Sequence, residues 1–187
     1  MMRGMESLAA SRYVGAVDPV LVLWDLDWTL LETGGLDQEI WFQVCADLLR
    51  LPVVESEVVP GSTAPQLLRG ILIQRGATAA QADRLLPEAL RLELNYLTSR
   101  SAELARRGRA LPGAMAALSA LALEPHILQS VLTGNQRTGG EIKLSAFGLL
   151  ASVDLDIGSF GSDSAQRHEL VDIARRKAEA KHGRTLL

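Results

Sequence analysis

One cysteine, three lysines and no long uninterrupted apolar run set the first limits on this 187-residue sequence. A single thiol, Cys45, can form no internal disulfide and is too little for a cysteine zinc cluster, a usage that suits a reducing compartment. Its simplest role is that of a small buried hydrophobe on an apolar helix face. No apolar stretch reaches the ~18 to 20 residues that span a bilayer, and the opening MMRGMESLAASRYVGAV lacks a hydrophobic segment followed by a cleavage site. A cytoplasmic protein with no membrane partner is the expectation. Basic charge is not in excess either: 19 Lys and Arg face 22 Asp and Glu, for a net charge of -3, so no nucleic acid partner is expected. The group Arg106, Arg107 and Arg109 reads as a solvated helix end. Because 16 of the 19 basic residues are Arg, the places of Lys143, Lys177 and Lys181 carry information. Nothing in the sequence specifies an oligomeric state or a substrate.

What is present is enough apolar content, 48% of residues, for one well-packed core with a smaller subdomain attached. Residues 20 to 25, VLVLWD, form a continuous apolar run, the pattern of a strand covered on both faces in a parallel sheet. From Asp37 to about Arg109 apolar residues recur at helical spacing, which predicts three or four helices separated by Pro52, Pro60-Gly61 and Gly76. Pro112-Gly113 opens a further helix, AMAALSALAL. A second strand is predicted from His126 to Thr133, a short helix over GEIKLSAFGL, a third strand from Ala151 to Ile157 and a charged helix from Ala165 to Lys181. Strands alternating with helices predict an α/β fold: a Rossmann-like three-layer core with a parallel sheet and an inserted all-helical cap. The expected division is an N-terminal segment over 1–18, a core domain over 19–35 and 111–187, and a helical cap over 36–110.

Asp25 and Asp27 stand at the carboxyl end of the first strand, where ligands of open parallel sheets bind. Period 2 places both on one side of an extended backbone, and two converging carboxylates need a cation, or a proton on one of them. One carboxylate attacking while the other carries a proton would use that arrangement. Surface acids capping a helix near Thr29 are the plain alternative. The order of apolar strand, DLDWT, helical insert, apolar strand, TGN and a lysine on the next helix resembles the haloacid dehalogenase-like hydrolase superfamily, in particular its phosphoglycolate-phosphatase-like members with a helical cap. The resemblance runs from Val20 onward. It implies Mg²⁺-dependent hydrolysis of a small phosphomonoester, with Asp25 as nucleophile and Asp27 as general acid and base. It further implies that the Asp25 side chain and the Asp27 carbonyl hold Mg²⁺ and that Thr29 orients Asp27. Thr133, Gly134 and Asn135 would bind the phosphoryl group, and Lys143 would stabilise its charge, with Arg167 as the competing candidate. Such an assignment suits phosphoryl transfer, which depends on positioning and on neutralising oxygen charge. An exposed amphipathic lysine is the plain alternative for Lys143, and a turn with a helix cap for Thr133 and Asn135.

Two features depart from the superfamily pattern. Trp28 follows the second Asp where Gly is usual, and is expected to line the mouth of the site beneath the cap. The superfamily also has a further acidic motif after another apolar strand; RTLL at residues 184–187 reads as the start of that strand, so a core truncated at its C-terminus is expected. Asp163 is the nearest substitute acid, with capping of the helix at Ala165 as its simpler role, whereas Asp154 and Asp156 are expected on a strand too far away. Gly61, Ser62, Thr63, Gln66 and Arg69 are candidate cap contacts to substrate. The DLD spelling favours phosphate over carbon-halogen chemistry, and the lysine-free cap disfavours a phosphonatase. A sugar-phosphate mutase and a non-catalytic protein that only binds phosphate ligands or a partner remain as alternatives. Cysteine hydrolysis by Cys45 with His126 or His168 fails on context.

Overall fold

The computed structural model describes residues 19–183, 185 and 186; the expected N-terminal segment 1–18 lies outside the described residues. Strand β1 (Val20–Trp24) pairs in parallel with β4 (Ile127–Thr133), and β4 pairs in parallel with β5 (Ser159–Phe160), in the order β1-β4-β5. A central place explains why Ser130, Val131 and Thr133 of β4 are buried while β1, at the sheet edge, is mostly half-buried. The sequence expectation of a first strand covered on both faces therefore holds only in part. Helices α5 (Ala114–Leu121) and α7 (Glu169–His182) pack on β4, and α6 (Arg137–Ala146) packs on β5.

The third strand departs from the expectation over Ala151–Ile157. A 3-10 turn occupies Leu150–Ser152, and β5 begins only at Ser159. The Asp154 side chain accepts the Asp156 N–H at 3.1 Å, an Asx turn that curls the backbone out of the extended state. Lys181 then holds both acids from α7, at 2.8 and 3.1 Å. The last helix likewise starts at Glu169 rather than Ala165, because Ser164 accepts the Gln166 N–H at 3.0 Å and keeps that segment in turns. Thr185 and Leu186 lie in no strand; Leu186 packs against Ile157 and Ala178.

Four helices follow β1 as an insertion: α1 (Leu36–Leu49), α2 (Ala64–Gln74), α3 (Ala79–Ser99) and α4 (Ser101–Arg107). Their boundaries come from local chemistry. Thr78 and Gln81 form a reciprocal capping box at 2.8 and 3.3 Å that starts α3, and Gly76, at φ 99°, makes the turn before it. Pro112 stands one residue before the Gly113 N-cap of α5, not in its first turn. Leu36, Val44, Leu68 and Leu72 are fully buried among α1, α2 and α3, each burial being worth on the order of 2 kcal/mol. A second cluster joins Leu26, Leu118, Val131 and Phe160 beneath the sheet, and Phe147 touches both clusters.

The two ends of the insertion meet in an antiparallel ribbon, β2 (Leu31–Glu32) against β3 (Arg109–Ala110). Strands of two residues have no period to read, so sequence patterning misses them. Arg107 ends α4 as an exposed arginine, as expected, and it also donates to Glu39 at 2.6 Å and to the Gly34 carbonyl at 2.8 Å. Gly34, at φ 61°, is required there because a Cβ would lie 2.6 Å from the Arg107 carbonyl oxygen.

Candidate active site

Strand β1 stops at Trp24, and Leu26, fully buried in the lower cluster, anchors the turn after it. With Leu26 pointing inward, Asp25 and Asp27 on either side of it both line one pocket of about 360 Å³ between the sheet end and the insertion. The Leu26 carbonyl accepts the N–H groups of Thr29, Leu30 and Leu31 at 3.2, 2.9 and 3.1 Å, which closes the turn. Trp28 takes φ 62° in that turn, a left-handed conformation that explains why glycine suits the position. It is 79% exposed and stands at the pocket mouth. Thr29 is exposed, and among the described residues its side chain makes no hydrogen bond to Asp27.

Asp27 is oriented instead from the C-terminal end of β4 and from α6. Asn135 Nδ2 donates to Asp27 Oδ2 at 2.7 Å and to Thr133 Oγ1 at 2.7 Å, while its own N–H reaches Thr133 Oγ1 at 3.2 Å. Lys143 is no surface lysine: it is 1% exposed. Its ammonium donates to Asp27 Oδ1 at 3.0 Å, Asp37 Oδ2 at 2.6 Å and Asn135 Oδ1 at 2.7 Å, so all three of its donors are engaged. Asp37, in the first turn of α1, thereby ties the insertion to Asp27. Lys143 contacts Asp27 rather than Asp25. Asp25 belongs to Arg167, whose Nη2 donates to Oδ2 at 2.6 Å, while Oδ1 accepts the Leu26 N–H at 2.8 Å.

Gly134 sits where insertion and core touch. Its carbonyl accepts the Ala64 N–H at 2.7 Å, and a Cβ on it would lie 2.5 Å from the Ser62 carbonyl oxygen. Thr63 donates to the Ala165 carbonyl at 2.9 Å, closing a second link. Of the candidate cap contacts, Gly61 and Ser62 line the pocket. Thr63 and Gln66 serve the start of α2, and Arg69 pairs with Asp83 at 2.6 Å. Asp163 accepts the Phe160 N–H at 2.9 Å and the Lys177 ammonium at 2.8 Å. Asp154 and Asp156 are held by Lys181 and Arg137.

Burial raises the Asp25 carboxyl above the usual range; Arg167 opposes the rise and the neighbouring Asp27 adds to it. Burial alone would push Lys143 down, but the carboxylates of Asp27 and Asp37 outweigh it and the ammonium stays charged. Asp37 is raised by burial, which exceeds the pull of an ammonium it shares with Asp27. Cys45 is fully inside, its thiol pushed up to about 12 by burial, consistent with a structural residue.

Two residues were not found by sequence reasoning. Asp37 looks like an ordinary first-turn acid facing the helix dipole. Glu93 is 8% exposed, accepts the Trp41 indole N–H at 3.1 Å and Gln136 Nε2 at 2.7 Å, and is raised by burial. An acid at helical spacing with Ala82, Ala89 and Leu97, all buried, is the sequence signal that marks it.

The donors for Mg²⁺ implied by the sequence resemblance are the Asp25 carboxylate and the Asp27 carbonyl. Among the described residues no three His, Cys, Asp or Glu side chains cluster as a metal site. With the Asp25 carboxylate already ion-paired by Arg167 and Asp163 committed elsewhere, the described residues do not complete a Mg²⁺ site.

A sequence model of the haloacid dehalogenase-like hydrolases matches residues 22–186. The chain belongs to that family. Members of this hydrolase family typically use Mg²⁺. No curated protein matches the chain. Solved structures match it as folds. A protein of Lactobacillus plantarum described as a "putative phosphoglycolate phosphatase" is 13% identical, with 87% of this chain and 72% of that one covered and a TM-score of 0.57. A haloacid dehalogenase-like family hydrolase of Streptococcus pneumoniae is 13% identical over 88% and 70%, with a TM-score of 0.51. A hydrolase of Pseudomonas syringae is 18% identical over 79% and 62%, with a TM-score of 0.50. Among the described residues no helix is long and apolar enough to cross a membrane.

Proposed function

We propose that this haloacid dehalogenase-like hydrolase cleaves a small phosphomonoester, with residues 36–110 as the cap over the reacting group. The observation that carries the reading is the opening of Asp25, Asp27, Thr133, Gly134, Asn135 and Arg167 into a single pocket. An Asp25 oxygen attacks phosphorus, the bond from phosphorus to the ester oxygen breaks, and Asp27 in its acid form gives that oxygen a proton. Water then attacks phosphorus of the aspartyl-phosphate and loses its proton to Asp27; the phosphorus bond to Asp25 breaks and phosphate leaves. Arg167, the cation on Asp25, moves its charge onto the phosphoryl oxygens as the carboxylate becomes an acyl phosphate. Lys143 and Asn135 hold Asp27 in place throughout. Burial raises the Asp25 carboxyl and Arg167 opposes that rise, so the nucleophile stands without a full water shell beside the cation that favours its anionic form.

The test is release of phosphate from p-nitrophenyl phosphate by the 187-residue chain, with and without Mg²⁺, beside Asp25→Asn and Asp27→Asn. Turnover that Asp25→Asn abolishes supports the reading; equal turnover in wild type and Asp25→Asn refutes it. The incomplete metal donor set favours a second reading, a protein that binds phosphorylated ligands without cleaving them. It predicts saturable phosphate binding with no turnover under either condition.

A further inference from the structure

We propose that the pocket selects a phosphomonoester whose organic part is apolar and carries no second negative charge. This inference rests on the phosphatase reading for its chemistry and on the distribution of donors for its selectivity. Among the described residues, Arg167 is the only Lys or Arg lining the pocket, and it lies at the Asp25 end where the phosphoryl group belongs. Lys143 stands close by, but its three donors are spent on Asp27, Asp37 and Asn135. A carboxylate or second phosphate on the substrate would thus find no free cation. It would instead face the acids Glu32, at the foot of the insertion, and Asp37 and Glu93 on its helices.

That same side offers apolar surface. Trp41, Val58, Val59 and Leu67 line it, and Trp28 stands at the mouth. Glu93 fixes the Trp41 indole through its N–H at 3.1 Å, and Gln136, donating to Glu93 at 2.7 Å and to the Leu90 carbonyl at 2.8 Å, pins this wall to the start of α6. The wall is built in advance for a flat or aliphatic group, and among the described residues it offers an anion carboxyl groups but no free Lys or Arg donor. Phosphoglycolate, which carries a carboxylate close to its phosphate, is the wrong shape of charge for it.

The experiment compares phenyl phosphate with phosphoglycolate on the 187-residue chain, measuring Kd by titration calorimetry and kcat/KM by phosphate release, each with and without Mg²⁺. Phenyl phosphate is expected to win by about 100-fold or more in both quantities, since a second anionic group would be desolvated in the pocket with no cation to pair it. A Val59→Arg variant, altering a 60% exposed residue at the rim, should cut that ratio at least about tenfold by supplying the missing cation. Phosphoglycolate bound and cleaved as well as phenyl phosphate would overturn the selectivity while leaving the phosphatase reading intact. Tight, selective binding of phenyl phosphate without cleavage of either ester would keep the selectivity and sink the phosphatase reading. If neither compound bound, both would be overturned.

Discussion

Replacing Lys143 by methionine keeps most of its buried stem and deletes one positive charge that three acceptors share. The wild-type ammonium answers Asp27, Asp37 and Asn135 at 2.6 to 3.0 Å from a site 1% exposed. Breaking a buried ion pair by removing one partner costs about 3 to 5 kcal/mol, because the other charge stays inside unpaired. Most of that cost should fall on Asp37, whose side chain is 11% exposed, against 34% for Asp27. A double variant, Lys143→Met with Asp37→Asn, should therefore recover at least about 1 kcal/mol relative to the single one. The pH dependence has a definite sign. Burial already raises Asp37 in the folded state, and losing Lys143 raises it further. A raised carboxyl favours folding below its unfolded value and loses that contribution as pH climbs through the folded one, so the deficit of Lys143→Met should be small near pH 4 and grow toward neutrality. Urea unfolding midpoints at several pH values would measure all of this. A single variant as stable as wild type at pH 7, or a double variant less stable than the single, would refute the account of a shared, necessary charge.

Trp28→Gly should raise stability by about 0.5 to 1 kcal/mol, since relief of a left-handed tryptophan exceeds the entropy glycine adds to the unfolded chain; a fall in the thermal midpoint would count against it. Gly134→Ala should cut turnover at least about tenfold with the fold retained by circular dichroism, because its Cβ would press 2.5 Å from the Ser62 carbonyl and push α2 from the sheet end. Unchanged kcat/KM would show that the contact gives way harmlessly. Cys45, buried and titrating only near 12, should resist a thiol reagent at pH 8 in the folded chain and react at once in denaturant; rapid labelling of native protein would contradict its burial.

Much of this molecule is dictated by local pattern. The run VLVLW, the helical periods between Asp37 and Arg109 and the second apolar strand yield the parallel α/β sheet with its helical insertion. The alternation of Asp25, Leu26 and Asp27 is equally local, since one inward leucine turns both acids toward the same opening. Patterns fail where competition between side chains decides, as in the Asx turn at Asp154 that replaced a predicted strand, and where an element is as short as β2.

Partnership was beyond the reach of sequence. Asp27 and Lys143 are separated by 116 positions and Asp25 and Arg167 by 142, so only packing could assign Lys143 to Asp27 and Arg167 to Asp25. Asp37 and Glu93 illustrate the same limit: each is an ordinary helix acid until the helices close over it and remove its water. Composition and period determined the two longer strands and the helices of the insertion, because those depend on neighbours along the chain. Tertiary structure decided which charges meet, how deeply they are buried and what the pocket has left to offer a ligand, because those depend on distances the chain sets only by folding.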